Sequence, residues 1–127
     1  MQSIANKIKI KVLPQYLSEY SKPINHQFLF SYRIIIVNAS TKNIQLIARH
    51  WHIFDSNNQF KEVKGEGVIG KQPIILAGDT YNYESFSELK TDMGMMWGTF
   101  LMKDTDTNEM FEVKIPEFKL IQDCRLN

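Results

Sequence analysis

Gly65-Glu66-Gly67-Val68-Ile69-Gly70-Lys71-Gln72-Pro73-Ile74-Ile75-Leu76 is the stretch on which the fold turns. Its three glycines have the GxGxxG spacing of a dinucleotide fingerprint. In that fingerprint a strand leads into the first glycine and a helix opens at the last, and the helix's N-terminal amides hold the pyrophosphate. Here Pro73 follows Gly70 by three residues. Proline disfavours helical geometry at the residue before it and lacks a backbone donor. Ile74-Ile75-Leu76 then continues as a strand rather than an amphipathic helix. A Rossmann site is set aside on this ground. A Walker phosphate loop fails as well, because no Gly-Lys-Ser/Thr occurs. The glycines read first as conformational, supplying positive φ, a bulge or close approach of two backbones. An amide nest that binds an anion without a helix stays open. In that version Gly65, Gly67 and Gly70 supply amides, with Lys71 and Arg49 adding charge.

Outward from this stretch, alternation and turns dominate, and helical periodicity is almost absent. Lys7 to Leu13 places Ile8, Ile10 and Val12 on one face and Lys7, Lys9 and Lys11 on the other. Pro14 ends that strand or marks a sheet edge, and the lysine face reads as a solvated edge that resists aggregation. From Gln27 to Asn38, Phe28, Phe30, Tyr32, Ile34 and Ile36 share one face and Leu29, Ile35 and Val37 the other, the pattern of a central strand. Ile44 to Phe54 divides into Ile44, Leu46, Ala48, His50, His52 and Phe54 against Gln45, Ile47, Arg49, Trp51 and Ile53. Asp55-Ser56-Asn57-Asn58 is a hairpin turn, since Asn and Asp tolerate the left-handed conformation, and Phe60 to Lys64 returns. Further strands are expected at Pro73–Leu76, Thr80–Phe86, Gly94–Lys103 and Glu109–Ile115, with a last edge strand at Phe118–Ile121 after Pro116. The expected fold is all-β, a two-sheet antiparallel sandwich of about seven to nine strands. No repeat or linker divides residues 1–127, so one domain is expected.

Composition bounds the function. Of 127 residues, 43% are hydrophobic and 23% charged, the balance of a globular domain. The longest apolar piece, Ile34-Ile35-Ile36-Val37, is far too short to span a bilayer. The N-terminus has no apolar run of signal-peptide length, and Cys124 is the single cysteine. A cytoplasmic setting is expected. A net charge of +1 gives no general drive toward nucleic acid or membrane surfaces.

Few side-chain constellations carry chemistry. His50 and His52, two apart on a strand, point the same way and can share a metal, with a third ligand from His26, Asp55 or Glu66. The plainer reading leaves both as ordinary sheet-face histidines, and nothing matches a structural zinc pattern. Arg49, His50 and Asp55 specify no nucleophile or paired base, and no serine sits in a recognisable elbow. A non-enzyme without a cofactor is expected. Met93, Met95, Met96 and Met102, clustered around Trp97, could bind soft copper(I). More often such residues are adaptable core or interface filling, with Trp97 part of a contact surface.

Taken in order, several pieces carry a family resemblance. They are Ser21-x-Pro23, Phe28-x-Phe30-x-Tyr32-Arg33-Ile34-x-Ile36-x-Asn38, Arg49-His50-Trp51, Val63-x-Gly65-x-Gly67-Val68-Ile69-Gly70-x-Gln72-Pro73, Tyr83-x-Ser85, Met96-x-Gly98 and Ile115-Pro116-x-Phe118. The chain resembles the ApaG family. The resemblance implies a small β-sandwich of fibronectin type III kind and a role associated with cobalt tolerance and magnesium efflux. It also implies a recognition role, since related domains occur within larger eukaryotic proteins. Three functional expectations follow: a non-enzymatic module acting through a protein partner, a binder of pyrophosphate or nucleotide at the Gly65–Gly70 loop, and a direct cobalt binder at His50 and His52. Exposed sheet edges also permit a homodimer.

Overall fold

The structure, a computed structural model, describes residues 2–122; Cys124 lies outside them. A one-turn helix α1 (Gln2–Ala5) precedes β1 (Ile8–Tyr16), β2 (Phe28–Asn38), β3 (Ile44–Asp55), β4 (Gln59–Glu66), β5 (Ile74–Ile75), β6 (Thr80–Leu89), β7 (Met93–Asp104) and β8 (Met110–Ile121). β1, β2 and β6 form a three-stranded sheet with β2 in the middle. The second sheet runs β4-β3-β7-β8, with β5 pairing β3 as its fifth strand. Every pairing between named strands is antiparallel. This is the two-sheet sandwich that the alternation predicts.

Burial drives the assembly. Phe28, Phe30, Tyr32, Ile34 and Ile36 of β2 are all buried, as their shared face predicts. Each such side chain contributes about 1.5–3 kcal/mol when taken out of water. The other sheet presents Ile44, Leu46, Trp51, Ile53, Met96, Phe100 and Met102 to the same core. Tyr32, Trp51 and Phe118 pack ring against ring across the sandwich, with centroids 5.5 to 5.8 Å apart. Such tilted and edge-on contacts add to the burial term. Met96 and Met102 are fully buried while Met93 is exposed, so the four methionines do not converge on a soft metal.

The structure decides one local reading and corrects two. Of the two readings of Pro14, the sheet edge holds and the strand end does not. β1 runs to Tyr16, and the proline is tolerated because β1 is a sheet edge. The two final strands expected on either side of Pro116 are one strand, β8. The ladder between β7 and β8 slips between Met96 and Gly98, so Trp97 faces the stretch that holds Pro116. That bulge on an edge strand removes the need for a proline donor. The second correction lies in β3. Its alternation reverses in mid-strand: Ile44 and Leu46 are buried, and then Trp51 and Ile53, not His50 and His52.

Candidate functional site

The reversal in β3 builds the site. Leu46 pairs with Met102 and Ala48 with Leu101, so Ile47 is the extra residue of a β-bulge. A bulge shifts every later side chain by one position. Trp51, Ile53 and Asp55 turn into the sandwich, and Ala48, His50, His52 and Phe54 turn to the outer face of the five-stranded sheet. The carbonyl of Ile47 accepts from the Gly67 N–H at 2.7 Å and from Gln72 Nε2 at 2.9 Å. The glycine stretch and the bulge are therefore one structural unit.

Each glycine has its own reason. Gly65 lies in β4 opposite Arg49, and a methyl there would meet the guanidinium Nη1 at 2.7 Å. Gly67 has φ of +60° and sits hard against the Lys71 carbonyl. Gly70 at φ +74° and Ile69 at φ +49° are the centre of a two-residue hairpin closed by Val68 and Lys71. Val68 N–H donates to the Lys71 carbonyl at 2.7 Å, and Lys71 N–H returns to the Val68 carbonyl at 3.0 Å. Positive φ at both central residues is the mark of a type I′ turn. The amides of Gly67, Val68 and Lys71 are thus engaged by backbone carbonyls. Lys71 itself is exposed, and Arg49 Nη1 donates to the carbonyls of Glu66 and Gly67 at 3.1 and 2.9 Å.

On the outer face, the β3–β4 register sets His52 against Glu62 and His50 against Lys64. The β3–β7 register sets His52 against Trp97. Residues opposed on neighbouring strands share a face and touch. The two imidazoles lie 4.5 Å apart between centroids, and the indole of Trp97 stacks on His52 at 5.6 Å and 12°. His50 Nε2 lies 2.6 Å from Glu62 Oε1, and Lys64 Nζ lies 3.6 Å from the same oxygen. The hydrogen bond from His50 is the main influence on Glu62 and holds its carboxyl below the usual carboxylate range; the charges of His50 and Lys64 act in the same direction, while desolvation opposes them. Glu62 is therefore ionised at neutral pH.

One ligand atom from each of His50, His52 and Glu62 lies within 4.8 Å of the others. In a tetrahedral site with bonds near 2.1 Å the donors stand about 3.4 Å apart, a gap that side-chain rotation closes. Both histidines are half-buried and Glu62 is exposed, so the site opens to solvent. Imidazole and carboxylate together suit cobalt, nickel or zinc, whereas magnesium asks for clustered oxygens. The acidic group that stands beside the two histidines is Glu62, and His26, Asp55 and Glu66 do not join them. His26 sits in the loop after Pro23–Asn25. Asp55 is buried and accepts from the Lys90 N–H at 2.6 Å and from the Thr91 hydroxyl. Glu66 lies at the far end of β4, opposite Ala48. A signal for Glu62 was present, because a hairpin closing at Asp55 and Gln59 places residue 62 across from residue 52.

With this geometry in place, similarity to known proteins becomes informative. The ApaG domain family matches residues 18–104, which include β2 to β7. The chain belongs to the ApaG family. Protein ApaG of Rhizobium meliloti (strain 1021) is 43% identical over 119 residues, covering 94% of this chain and 91% of that protein. Protein ApaG of Brucella abortus (strain S19) is 41% identical over 118 residues, covering 93% of this chain and 90% of that protein. A crystal structure of a Bordetella pertussis protein described as ApaA superposes with a TM-score of 0.87 at 37% identity, covering 91% of this chain and 93% of that one. The ApaG match spans the bulge, the glycine hairpin and the His50, His52 and Glu62 cluster. No helix among the described residues is long and apolar enough to cross a membrane.

Proposed function

We propose that this ApaG-family protein is a non-enzymatic binding module that holds a divalent transition-metal ion of the cobalt class with His50, His52 and Glu62. The observation that carries the reading is the convergence of those three donors within 4.8 Å of one another on one sheet face. Two imidazoles and one carboxylate match cobalt far better than magnesium. Ligands on paired strands are also held more firmly than ligands on loops. The role in cobalt tolerance and magnesium efflux that family resemblance implies is then one of sequestering or presenting a cation, not of transporting it. The open solvent side leaves positions for water or for a side chain of a partner. A cytoplasmic setting suits this reading, with Cys124 as the chain's single cysteine. The test is isothermal titration with cobalt chloride and magnesium chloride. The reading expects one cobalt ion per chain, no comparable magnesium binding, and loss of the cobalt isotherm in His52→Ala. Unchanged cobalt binding in that variant would remove it.

A second reading, that a protein partner docks on the same face, is favoured by the aromatic surface beside the donors. Phe60 is 70% exposed and packs on Phe54 at 4.8 Å between centroids. Trp97 is half-buried on the neighbouring strand. A pull-down from extract that recovers the same proteins with Phe60→Ala and Trp97→Ala as with the wild type would count against it. The pyrophosphate reading of the glycine loop finds less support, because Gly67, Val68 and Lys71 have already given their amides to carbonyls.

A further inference from the structure

A separate feature lies on the inner side of β3. Tyr83 of β6 is only 8% exposed, and its hydroxyl is buried with no hydrogen-bond partner among the described residues. Leaving a buried hydroxyl unpaired is unfavourable by about 1–3 kcal/mol. Tyr83 lines a cleft of about 120 Å³ between the sheets, together with Tyr32, Ser85, Trp51, Arg49 and the Gly70 turn.

The cleft has the charge and donor balance of a receptor for an anion. No carboxylate is among its lining residues. Arg49 makes no ion pair among the described residues, and the contacts of its guanidinium are the Glu66 and Gly67 carbonyls, both through Nη1. A guanidinium has five N–H donors, so part of the fork stays free for a ligand. Burial raises the Tyr32 phenol, and the neighbouring Ser85 hydroxyl and Arg49 oppose that rise. Burial pushes the Tyr83 phenol far above its ordinary range, Tyr32 adds to this, and Arg49 opposes it. Tyr83 thus stays neutral and offers a proton to an acceptor.

We infer that this cleft binds a small tetrahedral oxyanion of the phosphate class, with Arg49 supplying the charge and the Tyr83 hydroxyl donating a hydrogen bond. Charge-assisted bonds of this kind are the strong ones. The cleft admits a phosphate-sized group but not a base and sugar, so this site differs from a nucleotide site built on loop amides. It stands apart from the metal donors, which project from the other face of β3.

The experiment titrates metal-free protein with inorganic phosphate at constant ionic strength, followed by NMR of the backbone amides and the arginine Nε–H groups. Saturable shifts are expected at Arg49 and at the amides of Ile69 and Gly70. Tyr83→Phe removes only the unpaired hydroxyl, so it should fold with an equal or higher melting temperature. Its phosphate affinity should be weaker by about tenfold or more. A parallel arm uses methyl phosphate. Binding of both ligands assigns the cleft to the phosphate end of a larger molecule, and binding of phosphate alone assigns it to the free ion. Absence of saturable shifts in the wild type with either ligand, or equal affinity in Tyr83→Phe, overturns the inference. The wild-type titration decides the matter even if the variant fails to fold.

Discussion

Replacing the three motif glycines one at a time by alanine should give three different losses of stability, ranked by backbone geometry. At Gly65 the obstacle is the flexible end of Arg49, whose Nη1 would lie 2.7 Å from the added methyl. The guanidinium can swing away, and the loss stays below about 1 kcal/mol. At Gly70 nothing lies within 4 Å, and only the positive φ of 74° opposes a side chain. That costs about 1–2 kcal/mol. At Gly67 the positive φ is joined by a clash with the Lys71 backbone carbonyl, which no rotamer change relieves. Relief requires opening the Val68–Lys71 hairpin with its bonds of 2.7 and 3.0 Å. Adding about 1–2 kcal/mol for φ to about 0.5–1.5 kcal/mol for each bond gives about 2–5 kcal/mol. Urea denaturation followed by tryptophan fluorescence reads this directly. With an m-value of about 1.5 kcal/mol/M, Gly67→Ala should lower the midpoint by about 1–3 M and Gly70→Ala by about 1 M. Equal losses at the three positions, or the smallest loss at Gly67, would refute the claim that the motif is built for backbone shape.

Three further outcomes follow from the packing. Phe100 is fully buried, and Phe100→Ala should cost about 3–5 kcal/mol through the cavity it leaves, measured by the same urea midpoint. Ile69 is a β-branched residue at φ +49° with a side chain 57% exposed; Ile69→Asn should raise stability by about 1 kcal/mol, because asparagine accepts that conformation more readily. Burial raises the Tyr32 and Tyr83 phenols in the folded protein. The fold keeps protons that the unfolded chain releases near pH 10, so stability is full below that pH and falls above it by about 1.4 kcal/mol per pH unit for each tyrosine. Urea midpoints across that range should show the fall, and Tyr83→Phe should make it shallower.

The sandwich was legible in the alternation because half-buried strands must repeat with a period of two. β2 shows this most plainly, with five apolar residues on one face and turn formers on either side. The exclusion of a dinucleotide site was equally legible in Pro73. What could not be read was the bulge at Ile47. A single extra residue leaves the composition of β3 unchanged yet reverses which face its second half presents. Its cause lies about twenty residues further on, in the Gly67 and Gln72 donors that hold the Ile47 carbonyl. The pairing of His50 with His52 survived the reversal, because a shift of one position moves both together. The proposed metal donors come together only across the β3–β4 hairpin, whose closure at Asp55 and Gln59 sets Glu62 opposite His52. The cleft around Tyr83 was hidden because Arg49 and Tyr83 belong to different sheets and meet only once the sandwich closes.

The most direct measurement of the proposed role is anomalous diffraction at the cobalt edge from crystals grown with cobalt chloride. The account predicts one strong peak on the outer face of the five-stranded sheet, within bonding distance of His50, His52 and Glu62. It also predicts that this peak vanishes in crystals of Glu62→Gln grown the same way. A map with no peak between those three side chains, or with cobalt held only elsewhere on the molecule, would contradict it.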